Sequence, residues 1–369
     1  MNIILITAIE PNYYNKNGPS GLLWEIVDYL KNTNININID VSKVDLSADK
    51  INRIVQRLGM NIKPTSMDLS KYDIILFYPS FIASIIPEKY YKKTFSLGPD
   101  SDSLVFYSFF KKAITWKKYV YLLMAKWFIN YEKKWIKRGI KLIVVGEKDR
   151  KWISLHNKKE KNNIFYLHHP LLISSLSELT ASPPEKIRFI FSGDLSECYV
   201  GDYIDRLVNE INLINKKILN ILVVGKRNKS IYEKLCHIND AQVEYIEWIE
   251  DYSDLCNVGY DVHCIPLVAG GGTKNRVMTA IANGVKVIST SIGLDNIPYS
   301  NLFGVYKAKS EKEFAGLMIK NNSISQIDDS DIDIIIKERK QFKTKIDKEF
   351  QSSLNYILKN VNKFDKEKI

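Results

Sequence analysis

The sequence predicts an α/β protein built as two successive Rossmann-like halves, each a doubly wound parallel sheet covered by helices. Three observations predict it. Short apolar runs alternate with helical periods through the first half of the chain. A Ser-rich stretch, Ser177 to Pro184, ends in Pro183-Pro184 and interrupts that alternation. The same alternation then starts again. Strand–helix alternation is the signature of parallel sheets buried on both faces. The expected domains are 1–180 and 185–330, followed by a helical segment 331–369 that could cross back to the first domain.

The elements follow in order. Asn2 to Ala8 is a continuous apolar run and reads as a buried first strand. Gly21 to Leu30 carries Leu22, Leu23, Ile26, Val27 and Leu30 at helical spacing. Asn34 to Val41 alternates apolar and polar, so it reads as a second strand. Tyr72 to Tyr78 and Leu142 to Val145 are further strands, the latter entered from a long helical stretch. Beyond the prolines, strands are expected at Lys186 to Phe191, Ile218 to Val224, Val243 to Ile246, Tyr260 to Pro266 and Val285 to Thr290. Helices fall between them, notably Tyr203 to Ile214 and Asn275 to Asn283, with Gly284 at the place of a C-cap glycine. From Asp331 the sequence is charged and helical. In such sheets ligands bind beyond the carboxyl ends of the strands, so the loops after each strand are the ones to inspect.

Composition narrows the classes. The 369 residues suit two domains, and 45% hydrophobic residues suit packed cores. Cys198, Cys236, Cys256 and Cys264 show no C-x-x-C spacing, which argues for a reducing, cytoplasmic setting and against a disulfide framework or zinc site. The start Met1-Asn2-Ile3-Ile4-Leu5-Ile6 lacks a basic lead and does not read as a signal peptide. No stretch approaches the ~18 apolar residues of a spanning helix. The net charge of +11 favours an anionic partner.

The densest chemistry is the turn Gly270-Gly271-Gly272-Thr273-Lys274-Asn275-Arg276. It follows a strand and opens a helix. Three glycines let backbone approach a ligand, and Thr273 is a candidate N-cap. A helix N-terminus offers free N–H groups and a positive dipole end, which suit phosphate. Lys274 and Arg276 are unfavourable for the helix itself, so a bound anion would account for them. A flexible turn with incidental surface cations is the alternative. Gly-Lys-Ser/Thr is absent, so this is not a Walker loop.

Ile265-Pro266-Leu267 through this turn, then Ala280-Ile281-Ala282-Asn283-Gly284 and Val287 to Gly293, resembles the donor-site signature of GT-B glycosyltransferases of the family-4 type, the glycosyl transferases group 1. The resemblance implies two domains facing a cleft. It implies that this helix start holds the diphosphate of a nucleotide sugar, with Lys274 and Arg276 as counter-charges. It also implies transfer with retention and without a metal or other cofactor. Departures accompany it. Two glutamates eight residues apart are common in the family, and Gly271 and Thr279 stand in their places. After the first strand of the second half, Phe191-Ser192-Gly193-Asp194-Leu195 has an aspartate where the family often has basic residues on the donor phosphate. Gly193 is kept as a donor-binding candidate.

Other candidates are weaker. Gly18, Ser20 and Gly21 resemble the family's glycine pair after the first strand, or they form an ordinary loop. Asp100-Ser101-Asp102-Ser103, with Tyr131-Glu132 and Glu147 to Arg150 further on, resembles a subgroup pattern. Asp102 could orient an acceptor hydroxyl or take its proton, or Asp100 and Asp102 simply cap a helix. Tyr245 to Trp248 matches the base-contacting turn, where Trp248 stacks on the nucleobase or sits in the core. His168-His169-Pro170 is a poor metal site, because adjacent residues on a strand face opposite ways. Lys111 to Lys141 holds ten Lys/Arg against one acid, Glu132, with Trp116, Tyr119, Tyr121, Trp127, Phe128 and Trp135 interleaved. That composition suits an anionic membrane surface, or a solvated helix whose aromatics form the core.

The expected function is a peripheral, cytoplasmic glycosyltransferase. It would move a sugar from a nucleotide sugar to a glycan or lipid-linked acceptor in bacterial surface polysaccharide synthesis. A catalytically inactive GT-B nucleotide-binding scaffold and a nucleotide-sugar epimerase are the alternatives. Nucleic acid is not expected, for no recognition motif accompanies the charge.

Overall fold

The computed structural model describes residues 1–12, 18–32, 37–46, 49–60, 62–63, 65–98, 100–171, 184–214, 217–249, 255, 257–297, 301–323 and 328–366. The expected linker up to Pro183, the first residues of the expected second strand and the loop Tyr13 to Asn17 lie outside these. The chain folds as two compact units. One comprises Met1–Leu104, Met124–Ser174 and Lys348–Ile369; the other comprises Val105–Leu123 and Ser175–Asp347.

In chain order the first half holds β1 (Asn2–Thr7), α1 (Gly18–Asn32), β2 (Asn38–Lys43), α2 (Lys50–Arg57), β3 (Ile74–Tyr78), β4 (Thr94–Leu97), α3 (Asp102–Lys112), α4 (Lys117–Lys137), β5 (Lys141–Val144), α5 (Glu147–His156) and β6 (Ile164–Tyr166). The second half holds β7 (Arg188–Phe191), α6 (Glu197–Val200), α7 (Tyr203–Ile214), β8 (Leu219–Val224), α8 (Lys229–Leu235), β9 (Ala241–Ile246), β10 (Val262–Ile265), α9 (Asn275–Ala282), β11 (Lys286–Thr290), β12 (Val305–Ala308), α10 (Glu311–Lys320) and α11 (Asp329–Lys366).

Each unit carries a six-stranded sheet, ordered β2-β1-β3-β4-β5-β6 in the first and β12-β11-β10-β7-β8-β9 in the second. All strand pairs are parallel. The doubly wound architecture is therefore present twice. Central strands such as β3, Ile-Ile-Leu-Phe-Tyr, are buried along their whole length, because helices cover both faces. Edge strand β9 alternates between half-buried and exposed residues. Three strands escape a reading by sequence period: β4, β6 and β12. They are only three or four residues long.

The core of the first unit packs Ile3, Leu5, Ile74 and Leu76 against Leu22, Leu23 and Ile26 of α1. Phe350, Leu354, Ile357 and Leu358 of α11 join this same core. In the second unit Ile332 and Ile335, at the start of α11, pack on Val258 and Tyr260.

Candidate functional site

In the second unit the strand order reverses between β7 and β10, which makes the loops after those two strands the expected ligand crevice. The glycine-rich turn follows β10. Its approach is pinned: the amides of Val268 and Ala269 both donate to the carbonyl of Tyr199 in α6, at 2.8 and 3.2 Å. Gly270 N–H donates to Ser108 Oγ at 2.8 Å. Gly270 has φ +137° and Gly272 φ +64°, conformations that a side chain would strain.

Lys274 folds back over this turn. Its Nζ donates to the carbonyls of Gly271 and Gly272. The Gly272 carbonyl also accepts Asn296 Nδ2 at 2.8 Å, and Asn296 itself adopts φ +62°. The N-cap of α9 is Lys274, with no side-chain cap bond, so Thr273 does not serve as the expected cap. Asn275 is the first helical residue, where the sequence places the start of the helix. Gly284 closes the far side of α9 with φ +74°, after the C-cap residue Asn283.

Arg276 stands in the first turn of α9. Its Cβ and Cγ approach Gly193, in the loop after β7, to 3.8 Å of where a Cβ there would lie. The two loops of the switch point thus meet at Arg276 and Gly193. Beneath them His263 is fully buried. Burial, and then the Arg276 charge, push its pKa down to about 3, so it is neutral and adds nothing to the positive field. Arg276 and the α9 N-terminus concentrate positive potential at one spot.

The loop after β8 completes the crevice with residues that no sequence motif marks. Asn228 is fully buried; its Nδ2 donates to Gly193 O at 2.8 Å and its Oδ1 accepts Leu195 N–H at 3.1 Å. Arg227 pairs with Asp194 at 3.0 Å. The position where the family resemblance expects a cation thus holds Asp194, and a neighbouring strand's loop supplies an arginine beside it. Trp248 follows β9 at the same end of the sheet and is 74% exposed, so it is not a core tryptophan. Of the first-half glycines, Gly18 opens α1 and Gly21 is buried within it. Ser20 Oγ donates to Glu10 O at 2.5 Å rather than capping the helix.

In the first unit, β4 delivers the start of α3. Ser101 is the capping residue there, its Oγ accepting Leu104 N–H at 3.3 Å. Asp102 is freed for another contact: its Oδ2 accepts Ser80 Oγ at 3.0 Å. Glu132 of α4 is packed behind them. It accepts Ser101 Oγ at 3.0 Å and Ser103 Oγ at 2.7 Å. Asp149 is fully buried and accepts Ser101 N–H at 2.9 Å. Trp152 Nε1 donates to Ser103 Oγ at 2.9 Å. The serines of Asp-Ser-Asp-Ser therefore brace a fixed helix start, and the pattern's distant acids, Glu132 and Asp149, are the braces.

Burial pushes Asp102 up to about 6 and Glu132 up to about 7. For Glu132 the sign follows directly. The folded protein holds a proton where the unfolded chain, near 4.5, has released it. The stability this contributes is complete below that value and is lost as pH rises through about 7. Glu132→Gln should therefore flatten the fall in melting temperature between pH 5 and 7.5. Parallel melting curves for both proteins across that range would refute the buried-carboxylate account.

His168 and His169 lie beyond β6, both buried, and each Nδ1 hydrogen-bonds the carbonyl of the following residue, at 2.9 and 2.6 Å. Among the described residues no group of three or more His, Cys, Asp or Glu side chains is arranged to hold a metal ion. Among them, too, no helix is long and apolar enough to cross a membrane.

Comparison with known proteins agrees with this fold. Residues 186–320 match the family model described as glycosyl transferases group 1. No curated relative matches the sequence. Among solved structures, the chain is similar to a sucrose-phosphate synthase from Thermosynechococcus elongatus, with a TM-score of 0.64 at 10% identity over 98% of this chain and 99% of that one. It is similar to a glycosyltransferase from Rickettsia africae, with 0.62 at 13% identity over 99% and 98%. A lipopolysaccharide outer core galactosyltransferase gives 0.57 at 12% identity over 98% and 99%. At such identities these likenesses establish the fold.

Proposed function

We propose that this chain, which has the GT-B fold and matches the glycosyl transferases group 1 model over residues 186–320, is a glycosyltransferase whose second unit binds a nucleotide sugar with the diphosphate against the glycine-rich turn. The observation that carries this is the meeting of the β7 and β10 loops at Gly193 and Arg276, beside the N-terminus of α9. Gly270, Gly271, Gly272, Thr273 and Asn275 would present backbone to the phosphates. Trp248 would offer its exposed ring to the base.

The reaction we favour, on the family resemblance, is transfer with retention. The acceptor oxygen bonds to the anomeric carbon, the bond from that carbon to the diphosphate oxygen breaks, and the diphosphate leaves with the electron pair. Its departing oxygen takes the acceptor's proton. Lys274, Arg276 and the helix start stabilise the growing negative charge, a task that needs no metal ion. Asp102, ionised above about pH 6, would accept the acceptor hydroxyl's hydrogen bond and orient it.

The acceptor class we favour is a glycan or lipid-linked saccharide of a bacterial surface polysaccharide. The enzyme would work in the cytoplasm, peripherally at the inner face of the membrane. The support is the 103–131 stretch, which carries five lysines and no acid.

Thermal melting against a panel of UDP-, GDP- and dTDP-sugars tests the donor reading. A ligand at a hundredfold excess over its Kd stabilises by about 2.7 kcal/mol, so one class should raise the melting temperature by about 5 °C or more. The shift should shrink in Lys274→Ala, which loosens the turn against which the diphosphate lies. A panel without any shift, or an equal shift in that variant, would overturn the assignment. Binding without turnover of any donor would instead mark a nucleotide-binding scaffold.

A further inference from the structure

β6 is the outer strand of the first unit's sheet. Between it, the start of α5 and the far part of α11 runs a groove of about 700 Å³, within the usual size of a small-ligand site. Its described lining residues all belong to the first unit, so it is separate from the glycine-rich turn. Among them is His168, only 2% exposed. The His168 backbone N–H donates to Ser353 Oγ of α11 at 3.0 Å, and that hydroxyl in turn donates to Phe350 O at 2.9 Å. The Ser353 hydroxyl proton is therefore engaged, and the His168 ring must find its partners elsewhere.

That ring has a defined tautomer. Nδ1 meets the His169 carbonyl at 2.9 Å, and a carbonyl only accepts, so Nδ1 carries the proton. Burial holds the pKa below its ordinary value, so the ring is neutral at pH 7. Nε2 is then a bare acceptor. It is buried and makes no hydrogen bond among the described residues. Glu349 Oε2 stands 3.5 Å from it and is an acceptor too. Two acceptors thus face each other with no proton between them. A buried polar atom left so is costly, and a ligand that brings hydroxyl donors relieves the cost.

The rest of the lining narrows the ligand. Its described charges balance, Arg150 and Lys161 against Glu147 and Glu349. Arg150 is held by Glu147 in two bonds of 2.7 Å, so its charge is already answered. Tyr356 is 63% exposed, and the half-buried Tyr166 meets the His168 ring edge-on at 6.1 Å. A sugar ring matches this set. Its C–H face packs on an aromatic ring, and neighbouring hydroxyls donate to two acceptors at once. A phosphate would set its own negative oxygens against Glu349 and the bare Nε2. An alkyl chain would bring no proton to either.

We propose that this groove binds a neutral saccharide unit through His168 Nε2, Glu349 and Tyr356. Resting on the acceptor reading above, that unit is an inner part of the acceptor glycan, behind the sugar whose hydroxyl reacts. α5 links the two places. Asp149 and Trp152 on one of its faces hold Ser101 and Ser103, the neighbours of Asp102. Glu147 and Arg150, each two residues earlier and so about 200° away around the same helix, line the groove. A helix is about 10 Å across, a width that a few joined sugar rings span. Contacts in the groove would then hold a long acceptor that a single sugar cannot engage in full.

Saturation-transfer NMR on the full-length protein with free glucose, galactose, N-acetylglucosamine and rhamnose tests the groove. At least one should bind in the millimolar range, and more tightly than glucuronate. Tyr356→Ala removes an exposed ring and should weaken that sugar about fivefold or more. Glu349→Gln places an amide N–H opposite Nε2, so it should also weaken the sugar while melting no lower than wild type. Methyl glycosides of the bound sugar, from one to four units, then serve as acceptors. In wild type the tetrasaccharide should show a KM about tenfold below that of the monosaccharide, and Tyr356→Ala should lose this gain. No sugar bound by wild type, tighter binding of glucuronate, or full binding by both variants would overturn the groove. An equal gain with length in Tyr356→Ala, or no transfer to a bound tetrasaccharide while a nucleotide sugar is shown to bind, would overturn its acceptor role. Sugar binding in the groove with no melting shift from any nucleotide sugar would sink the donor reading alone.

Discussion

Arg276→Ala should leave the protein folded and lower glycosyl transfer by about 10²–10³-fold, mostly in kcat. The side chain is half-exposed in the first turn of α9, so truncating it removes little packing. What it removes is a fixed charge where the diphosphate would gain its negative charge. That charge is larger in the transition state than in the bound donor, and an interaction that grows along the reaction coordinate shows in kcat rather than in KM. Lys274→Ala should separate from it. Lys274 holds the Gly271 and Gly272 carbonyls, so its loss loosens the turn and should weaken donor binding as well as turnover. Steady-state kinetics with saturating donor distinguish the two. Wild-type kcat in Arg276→Ala would remove the phosphate role from this helix start.

Asp102→Asn should lower kcat by about 10²-fold or more if the carboxylate orients the acceptor hydroxyl. The amide keeps the size of the side chain and can still accept the Ser80 hydroxyl, but it carries no charge. The pH profile gives the sharper readout. Burial raises Asp102 to about 6, so the wild-type rate should climb through that pH and level off above it, while the variant's residual rate should lack that limb. Stability should move the other way. A raised carboxylate contributes stability that is complete below its ordinary 3.8 and is lost as pH rises through about 6. Asp102→Asn should therefore melt no lower than wild type at pH 7.5. An unchanged rate and pH profile would leave Asp102 as a structural residue only.

Both variants lie on motifs legible in the sequence, and the reason is local. The turn before α9 announces itself because glycines, cations and a helix start fall within seven consecutive residues. The Asp-Ser-Asp-Ser start of α3 is legible as a pattern, but its meaning is not. Which residue caps the helix, and which carboxylate answers Ser80, depends on Glu132 and Asp149, far along the chain. Asn228 shows the same limit. Nothing in its neighbourhood marks it, yet its single side chain stitches the β8 loop to the β7 loop.

Chain-local information was enough for two parallel α/β units and for the glycine-rich helix start, because hydrophobic period and turn chemistry act over a few residues. It was also enough to show that residues 103–131 carry lysines and no acid. It could not say that 105–123 would leave the first unit and join the second, or that Ser108 would meet Gly270 across 162 residues. Those are outcomes of packing. A helix face is buried by whichever surface complements it, and an amide in a strained turn is satisfied by whichever hydroxyl arrives. Only the folded chain decides which of its distant parts those are.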